Sequence, residues 1–246
     1  MSLTIIIPRK GINDDGMGKK HALHKLISAA TTEYVWLQDD DIIPPAQTPD
    51  TDADLLILPL RMDGGNSLLE RLQIAEYAAI QQLTMDTAKR GKPILCSGAN
   101  LIVKRRRWLE SWSELHPDIP SGDDMFLLES FKRRRLKIAV ADEERFTAVV
   151  HAQTTWRDFW HQRMRWAGKA PHYTDKDIRL YGAIVLSANI FQILCPLFIL
   201  LKFPVEYRLI KKRDRSVSFA VALLLEILYP VYMLICLIGG LLRKNW

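Results

Sequence analysis

Three consecutive carboxylates, Asp39, Asp40 and Asp41, follow an apolar run at residues 34–37. Adjacent carboxylates repel one another, and a bound cation relieves that repulsion. Side chains alternate along an extended segment, so Asp39 and Asp41 are expected to point the same way. Two oxygen ligands on one side suit Mg²⁺ or Mn²⁺ carrying a diphosphate. Taken alone, the same residues fit a solvated acidic loop equally well. A second group, Gly16-Met17-Gly18-Lys19-Lys20, opens a helix and can hold phosphate through backbone N–H groups and charge, although it lacks P-loop spacing. In Cys96-Ser97-Gly98-Ala99-Asn100 a glycine interrupts a strand-like run, which lets a ligand or another backbone approach closely. Asp123 and Asp124, after Ser121-Gly122, open a further helix as caps or as a general base. Finally, Gln162, Arg165 and Trp166 share one helix face. They offer an amide, a guanidinium fork and an aromatic platform, groups used to recognise phosphate and sugar. With Trp156 and Trp160 they also fit simple anchoring at a membrane interface.

These groups need elements to position them. Short β-branched or apolar runs alternate with helical patterns, which argues for an α/β fold. Strands are expected at residues 3–7, 34–37, 55–60 and 136–140, with a strand-like stretch at 94–103. Helices are expected at 18–30 and 67–90. The second helix opens with a capping box, Ser67 and Glu70, and ends at Gly91. The run at residues 3–7 is too short for a signal-peptide core or a membrane span.

The C-terminal part differs. Residues 180–201 carry no charge and as a helix would extend about 33 Å, enough for a bilayer core. Pro196 is expected to kink that helix. Residues 217–242 hold one charge, Glu226, which is costly at membrane depth unless paired or protonated. The expected organisation is therefore a globular domain over 1–179, a transmembrane helix at 180–201, a basic loop at 202–216 and a transmembrane helix at 217–242. Two spans would place that loop, with Lys211, Lys212, Arg213 and Arg215, across the membrane from the globular domain. The positive-inside rule would keep it in the cytoplasm. A re-entrant first run, a further helix, or an exception to the rule would each resolve the conflict.

The chain has 246 residues, of which 48 % are hydrophobic, which excludes a disordered chain. Lys and Arg number 34 against 28 Asp and Glu, a net charge of +6. The excess sits beside the apolar segments, at Arg163, Arg165, Lys169 and Arg179 and again at 211–215. With no recognisable nucleic-acid module, this favours an anionic membrane face or phosphate-bearing substrates over nucleic acid. Cys96, Cys195 and Cys236 show no metal-ligand spacing and no disulfide framework, which suits a reducing compartment for the main domain.

Taken together and in this order, the five groups resemble family 2 glycosyltransferases with a GT-A (Rossmann-like) fold, in particular the membrane-bound, Q-x-x-R-W type. The matching residues are Gly18-Lys19 with Ala22-Leu23, then Asp39 and Asp41, then Gly98-Ala99-Asn100, then Asp123-Asp124, then Gln162, Arg165 and Trp166. Apolar helices follow, as in the family. The family's nucleotide-binding half normally begins with further strands and an aspartate that recognises the base. The stretch from Ile6 to Asp39 is too short for those βαβ units. The chain therefore resembles an N-terminally incomplete member, which leaves room for a second chain supplying that part.

The resemblance implies inverting transfer of a sugar from a nucleoside-diphosphate sugar to a glycan or lipid-linked acceptor, as in polysaccharide biosynthesis. It makes Asp39 and Asp41 the ligands of Mg²⁺ or Mn²⁺. It makes Asp124 the catalytic base, with Asp123 beside it. Lys19, Gly98, Ala99, Asn100, Gln162, Arg165 and Trp166 become donor- or acceptor-binding residues. The implied location is a bacterial inner membrane with the catalytic domain cytoplasmic. Two alternatives remain at this stage. One is an inactive, truncated relative acting as a binding or scaffold piece. The other is a basic protein of the membrane surface that binds anionic lipid or nucleic acid without catalysis.

Overall fold

A computed structural model describes residues 1–9, 18–119 and 122–242. Gly16, Met17 and Ser121 of the sequence motifs lie outside the described residues. The chain forms two compact units that interleave in sequence. One comprises Met1–Leu60 and Thr84–Val150, the other Arg61–Leu83 and His151–Trp246. The compact units therefore do not follow the linear division at residue 179.

The first unit is built on a five-stranded sheet. Its strands are β1 (Leu3–Ile6), β2 (Tyr34–Gln38), β3 (Leu55–Ile57), β5 (Asn100–Lys104) and β6 (Ile138–Val140), in the order β1-β2-β5-β3-β6. β1 and β2 pair in parallel through the crossover helix α1 (Lys19–Ala29). β5 runs antiparallel between β2 and β3, and β3 pairs in parallel with β6. Every residue of β2 and β3 is buried, as expected for continuous apolar runs covered on both faces. α1 turns Ala22, Leu23 and Ile27 inward. Helix α4 (Asp123–Arg133) contributes Phe126, Leu127 and Phe131, and the short helix α3 (Arg105–Ser111) contributes Trp108.

Two strand expectations need correction here. The run at 55–60 does not form one strand: β3 stops at Ile57, and β4 (Leu60–Asp63) starts after Pro59, which has no N–H for a ladder. The stretch at 94–103 is a strand only from Asn100 onward.

A charged cluster closes one side of this unit. Glu110 accepts hydrogen bonds from Arg106 Nε at 2.7 Å, Arg107 Nη1 at 3.0 Å and Arg134 Nη2 at 2.8 Å. The hydrogen bonds from Arg106 and Arg107 pull the Glu110 carboxyl down from 4.5 to about 2. A carboxyl depressed on folding adds stability above its unfolded pKa and loses it as pH falls through the folded one. The melting temperature should therefore fall between pH 4.5 and about 2 more steeply in the parent chain than in Glu110→Gln. Equal acid slopes in thermal melts would refute this.

The second unit is helical apart from the ends of β4 and β7 (Ala148–His151). Helix α2 (Leu68–Lys89) starts at the expected capping box. Glu70 N–H donates to Ser67 Oγ at 3.3 Å, and Glu70 Oε2 accepts from Ser67 N–H at 3.2 Å. Glu70 Oε1 also takes Gly65 N–H at 2.8 Å, and a Cβ on Gly65 would lie 2.9 Å from that carboxylate. A side chain there would have to displace the far end of Glu70.

Four more helices follow: α5 (Trp156–Ala167), α6 (Lys176–Leu194), α7 (Ile199–Arg213) and α8 (Phe219–Leu242). Thr155 caps α5 and Asp175 caps α6 through their side-chain oxygens. By length and composition α6 and α8 could each cross a membrane. The apolar run at 180–201 is not one helix, because Cys195 and Pro196 break it. The segment 202–216, expected as a basic loop, is helical to Arg213. Lys and Arg, both good helix formers, account for five of residues 202–213, and the segment gains an apolar face on which to pack. Leu72, Ala75 and Ala78 of α2 meet Ile210 of α7 and Val221 and Ala222 of α8 in one core. Glu226 has the partner its burial demands: Lys202 Nζ lies 2.6 Å from Glu226 Oε1.

Candidate active site

In the first unit, chemistry-bearing residues gather where β2, β5, α1 and α4 begin or end. Asp39 follows β2 directly. The chain then turns at Asp40 and Asp41. The alternation argument for Asp39 and Asp41 therefore does not apply, because it requires an extended backbone. Lys19, at the first position of α1, forms an ion pair with Asp39. Burial disfavours the lysine's charge, but Asp123, Asp39 and Asp124 outweigh it and raise the ammonium above the ordinary lysine range. One cation thus faces the carboxylate after β2 and the acidic pair that opens α4.

Its neighbour does something else. Lys20 is buried and donates to the carbonyls of Leu115 at 2.6 Å and His116 at 2.8 Å. Of two adjacent lysines, the helix turns one to the carboxylates and one into the fold.

Asp124 is held from two sides. Its Oδ1 accepts Met125 N–H at 2.8 Å and its Oδ2 accepts Gly98 N–H at 3.2 Å. Cys96 Sγ–H donates to the Asp124 carbonyl at 3.2 Å. Gly122, with φ of 88°, gives the left-handed turn that brings the pair onto α4. A Cβ on Gly98 would meet Asp123 Oδ2 at 3.3 Å. What lies against the glycine is the acidic pair, where a ligand or another backbone was expected.

Asn100 points elsewhere. Its Nδ2 donates to the carbonyls of Pro59 at 2.8 Å and Phe146 at 2.9 Å, and its Oδ1 accepts Trp36 Nε1–H at 2.9 Å. The side chain is buried and ties β5 to its surroundings. Ala99 beside it is buried as well. Of the three expected binding residues here, Gly98 alone touches the acidic pair.

In the second unit, Gln162, Arg165 and Trp166 lie on α5. Arg165 is exposed. Gln162 Oε1 accepts from Arg163 Nη1 at 2.9 Å, and the Arg163 guanidinium lies 4.3 Å from the Trp166 ring centroid. Arg163, counted in the sequence with the basic residues that flank the apolar segments, does not face a membrane surface or a phosphate. It is buried and donates to Glu76 Oε2 from Nε at 3.1 Å and from Nη2 at 2.7 Å. Tyr232 donates to Glu76 Oε1 at 2.6 Å. Burial disfavours the guanidinium's charge, but Glu76 outweighs it and holds it above its ordinary value. The available signal was the spacing of Phe159 and Arg163, one helical turn apart on the buried face of α5.

Asp39 already binds a cation, the Lys19 ammonium. Asp39 and Asp41 each offer hard oxygen donors of the kind Mg²⁺ and Mn²⁺ prefer. Among the described residues no three His, Cys, Asp or Glu side chains are grouped to hold a metal ion. Two carboxylates fit an ion that keeps waters and shares a diphosphate rather than one caged by protein.

Among solved structures, the chain is similar to the mannosyltransferase PcManGT from Pyrobaculum calidifontis in complex with GDP-Man and Mn²⁺. The TM-score is 0.51 at 17 % identity, covering 93 % of this chain and 68 % of that one. At that identity the likeness concerns the fold. No curated protein matches the sequence significantly. The family described as glycosyltransferase like family 2 matches residues 10–169, well over half of the sequence. That match, on an α/β unit with a GT-A-like neighbour, makes this chain a member of glycosyltransferase family 2.

Proposed function

We propose that this chain transfers a sugar, with inversion, from a nucleoside-diphosphate sugar to a glycan or lipid-linked acceptor at a membrane surface. On this reading residues 1–179 are the catalytic domain and the C-terminal helices are its membrane attachment. The observation that carries it is the cluster of Lys19, Asp39, Asp123 and Asp124, with Asp124 fixed by Gly98 N–H. Family membership and a neighbour bound to GDP-Man and Mn²⁺ support the same reading.

Asp124 is the base. Each of its oxygens accepts one backbone N–H and keeps a second lone pair. The acceptor hydroxyl gives its proton to that carboxylate as its oxygen bonds to the anomeric carbon. The bond from that carbon to the diphosphate breaks on the opposite face, and the diphosphate leaves with the electron pair. Lys19 offers positive charge to the diphosphate, while the Arg165 guanidinium and the Trp166 ring on α5 are groups suited to recognising donor or acceptor. Asp39 and Asp41 would hold Mg²⁺ or Mn²⁺, which when bound neutralises charge on the leaving group. Gly98 leaves room beside the acidic pair.

Calorimetric titration of UDP and GDP into the detergent-purified chain, with and without Mn²⁺, tests this. The expected result is metal-dependent binding of one nucleotide, weakened at least tenfold in Asp41→Ala, about 1.4 kcal/mol. A folded chain that binds neither nucleotide would overturn the proposal.

A further inference from the structure

The apolar C-terminal helices raise a conflict over sidedness that the packing of α8 answers. At its start, Ser218 Oγ accepts from Arg71 Nη2 of α2 at 3.5 Å, and Val221 and Ala222 pack on Leu72 and Ala75. Midway, Tyr232 donates to Glu76 of α2 and lies tilted beside Phe159 of α5, with ring centroids 5.5 Å apart. Towards its end, α8 presses Gly239 and Gly240 against α5. A Cβ on Gly240 would lie 2.7 Å from Gly168 N, and one on Gly239 2.8 Å from Met164 Cε. From Ser218 to Gly240 an α-helix rises about 33 Å, the thickness of a bilayer core.

The two helices that support α8 over that length are joined to each other. Glu76 of α2 binds Arg163 of α5, and Gln73 of α2 exchanges hydrogen bonds with the backbone of Gln153. Neither belongs in hydrocarbon. α5 exposes Arg157, His161 and Arg165 along one face, and α2 exposes Arg71. If α8 stood across a bilayer, α5, which follows it from Phe159 to Gly168, would carry that charged face into the lipid.

α7 ends in the same core, with Ile210 beside α2, which places the basic residues 211–215 next to α2; α2 is in turn joined to α5 through Glu76 and Arg163. That placement satisfies the positive-inside rule without a crossing. The opposite face of α8 is an uninterrupted apolar stripe, Ile227, Val231, Ile235, Ile238 and Leu242, all exposed.

We propose that α8 lies along the membrane within one leaflet, with its Ile227–Leu242 stripe facing the acyl chains. The basic residues at 211–215 then meet anionic headgroups on the same side as α5. The proposal rests on the functional reading only for residence at a membrane. Loss of sugar transfer would not alter the result of the test below.

One further cysteine is added in each of three variants that keep the native Cys96, Cys195 and Cys236: at Thr154, before α5, at Arg215, and at Ile238 in the stripe. Sealed vesicles exposing the α5 side are treated with a membrane-impermeant maleimide, and the parent chain gives the background. Thr154→Cys and Arg215→Cys are expected to label equally in intact vesicles. Ile238→Cys is expected to label only after detergent. Labelling of Arg215→Cys only after permeabilisation would show a crossing and overturn the proposal. Ready labelling of Ile238→Cys in intact vesicles would show the stripe in water, and failure of the chain to stay with vesicles would show no leaflet attachment. Either result also overturns it.

Discussion

Replacing Asp124 by Asn is expected to lower sugar transfer by about 10²–10⁴-fold, the usual worth of a positioned general base, while nucleotide binding with Mn²⁺ persists. The carboxylate lies between Gly98 N–H and Met125 N–H, so its orientation is set by backbone rather than by mobile side chains. Asn keeps one acceptor oxygen, but its amide must turn an N–H₂ group towards one of those two N–H donors. A modest loss of thermal stability accompanies the substitution for that reason. Asp124→Ala removes the conflict and should lose transfer to the same degree. If both variants fold, bind nucleotide and transfer sugar at the parent rate, Asp124 is not the base. Single-turnover kinetics with a nucleotide-sugar panel separates the chemical step from binding.

Arg163→Met should have the larger effect on folding, destabilising the helical unit by about 3–5 kcal/mol, the typical result of stranding one member of a buried ion pair. The guanidinium is 3 % exposed and Glu76 7 %, so little water reaches the carboxylate left behind. Tyr232 can still donate to Glu76, but one phenol does not replace a charge. The double variant Arg163→Met/Glu76→Met should recover most of the loss, because two apolar side chains strand no charge. Denaturant unfolding of the four chains in one detergent measures the cycle. A single variant as stable as the parent would show that the pair bears little of the load. The test matters for function because Arg163 also holds Gln162 and lies on Trp166.

Local chemistry was legible in the sequence because local structure depends on near neighbours. The capping box at Ser67 and Glu70 formed as read, since it needs only residues three apart. The apolar runs at residues 3–7 and 34–37 became strands, and the pattern at 18–30 became α1. Glu226 required pairing or protonation on dielectric grounds alone, and Lys202 supplies the pairing.

What tertiary structure decided has sequence separation in common. β5 enters the sheet antiparallel between β2 and β3, and no local pattern gives a strand its neighbours. Asn100 looked like a ligand-cleft residue but satisfies the carbonyls of Pro59 and Phe146, which the chain brings to it from far away. Lys19 and Lys20 are alike in sequence, yet one meets Asp39 and the other caps carbonyls at 115 and 116. The segment 202–216 resembled a loop by charge and became a helix because α2 and α8 offered its apolar face a surface. By itself, the sequence determined which residues carry charge, cap helices and form the motifs of the family. Only the folded chain decided which of those charges face one another, because a buried polar group is satisfied by whatever the tertiary contacts deliver.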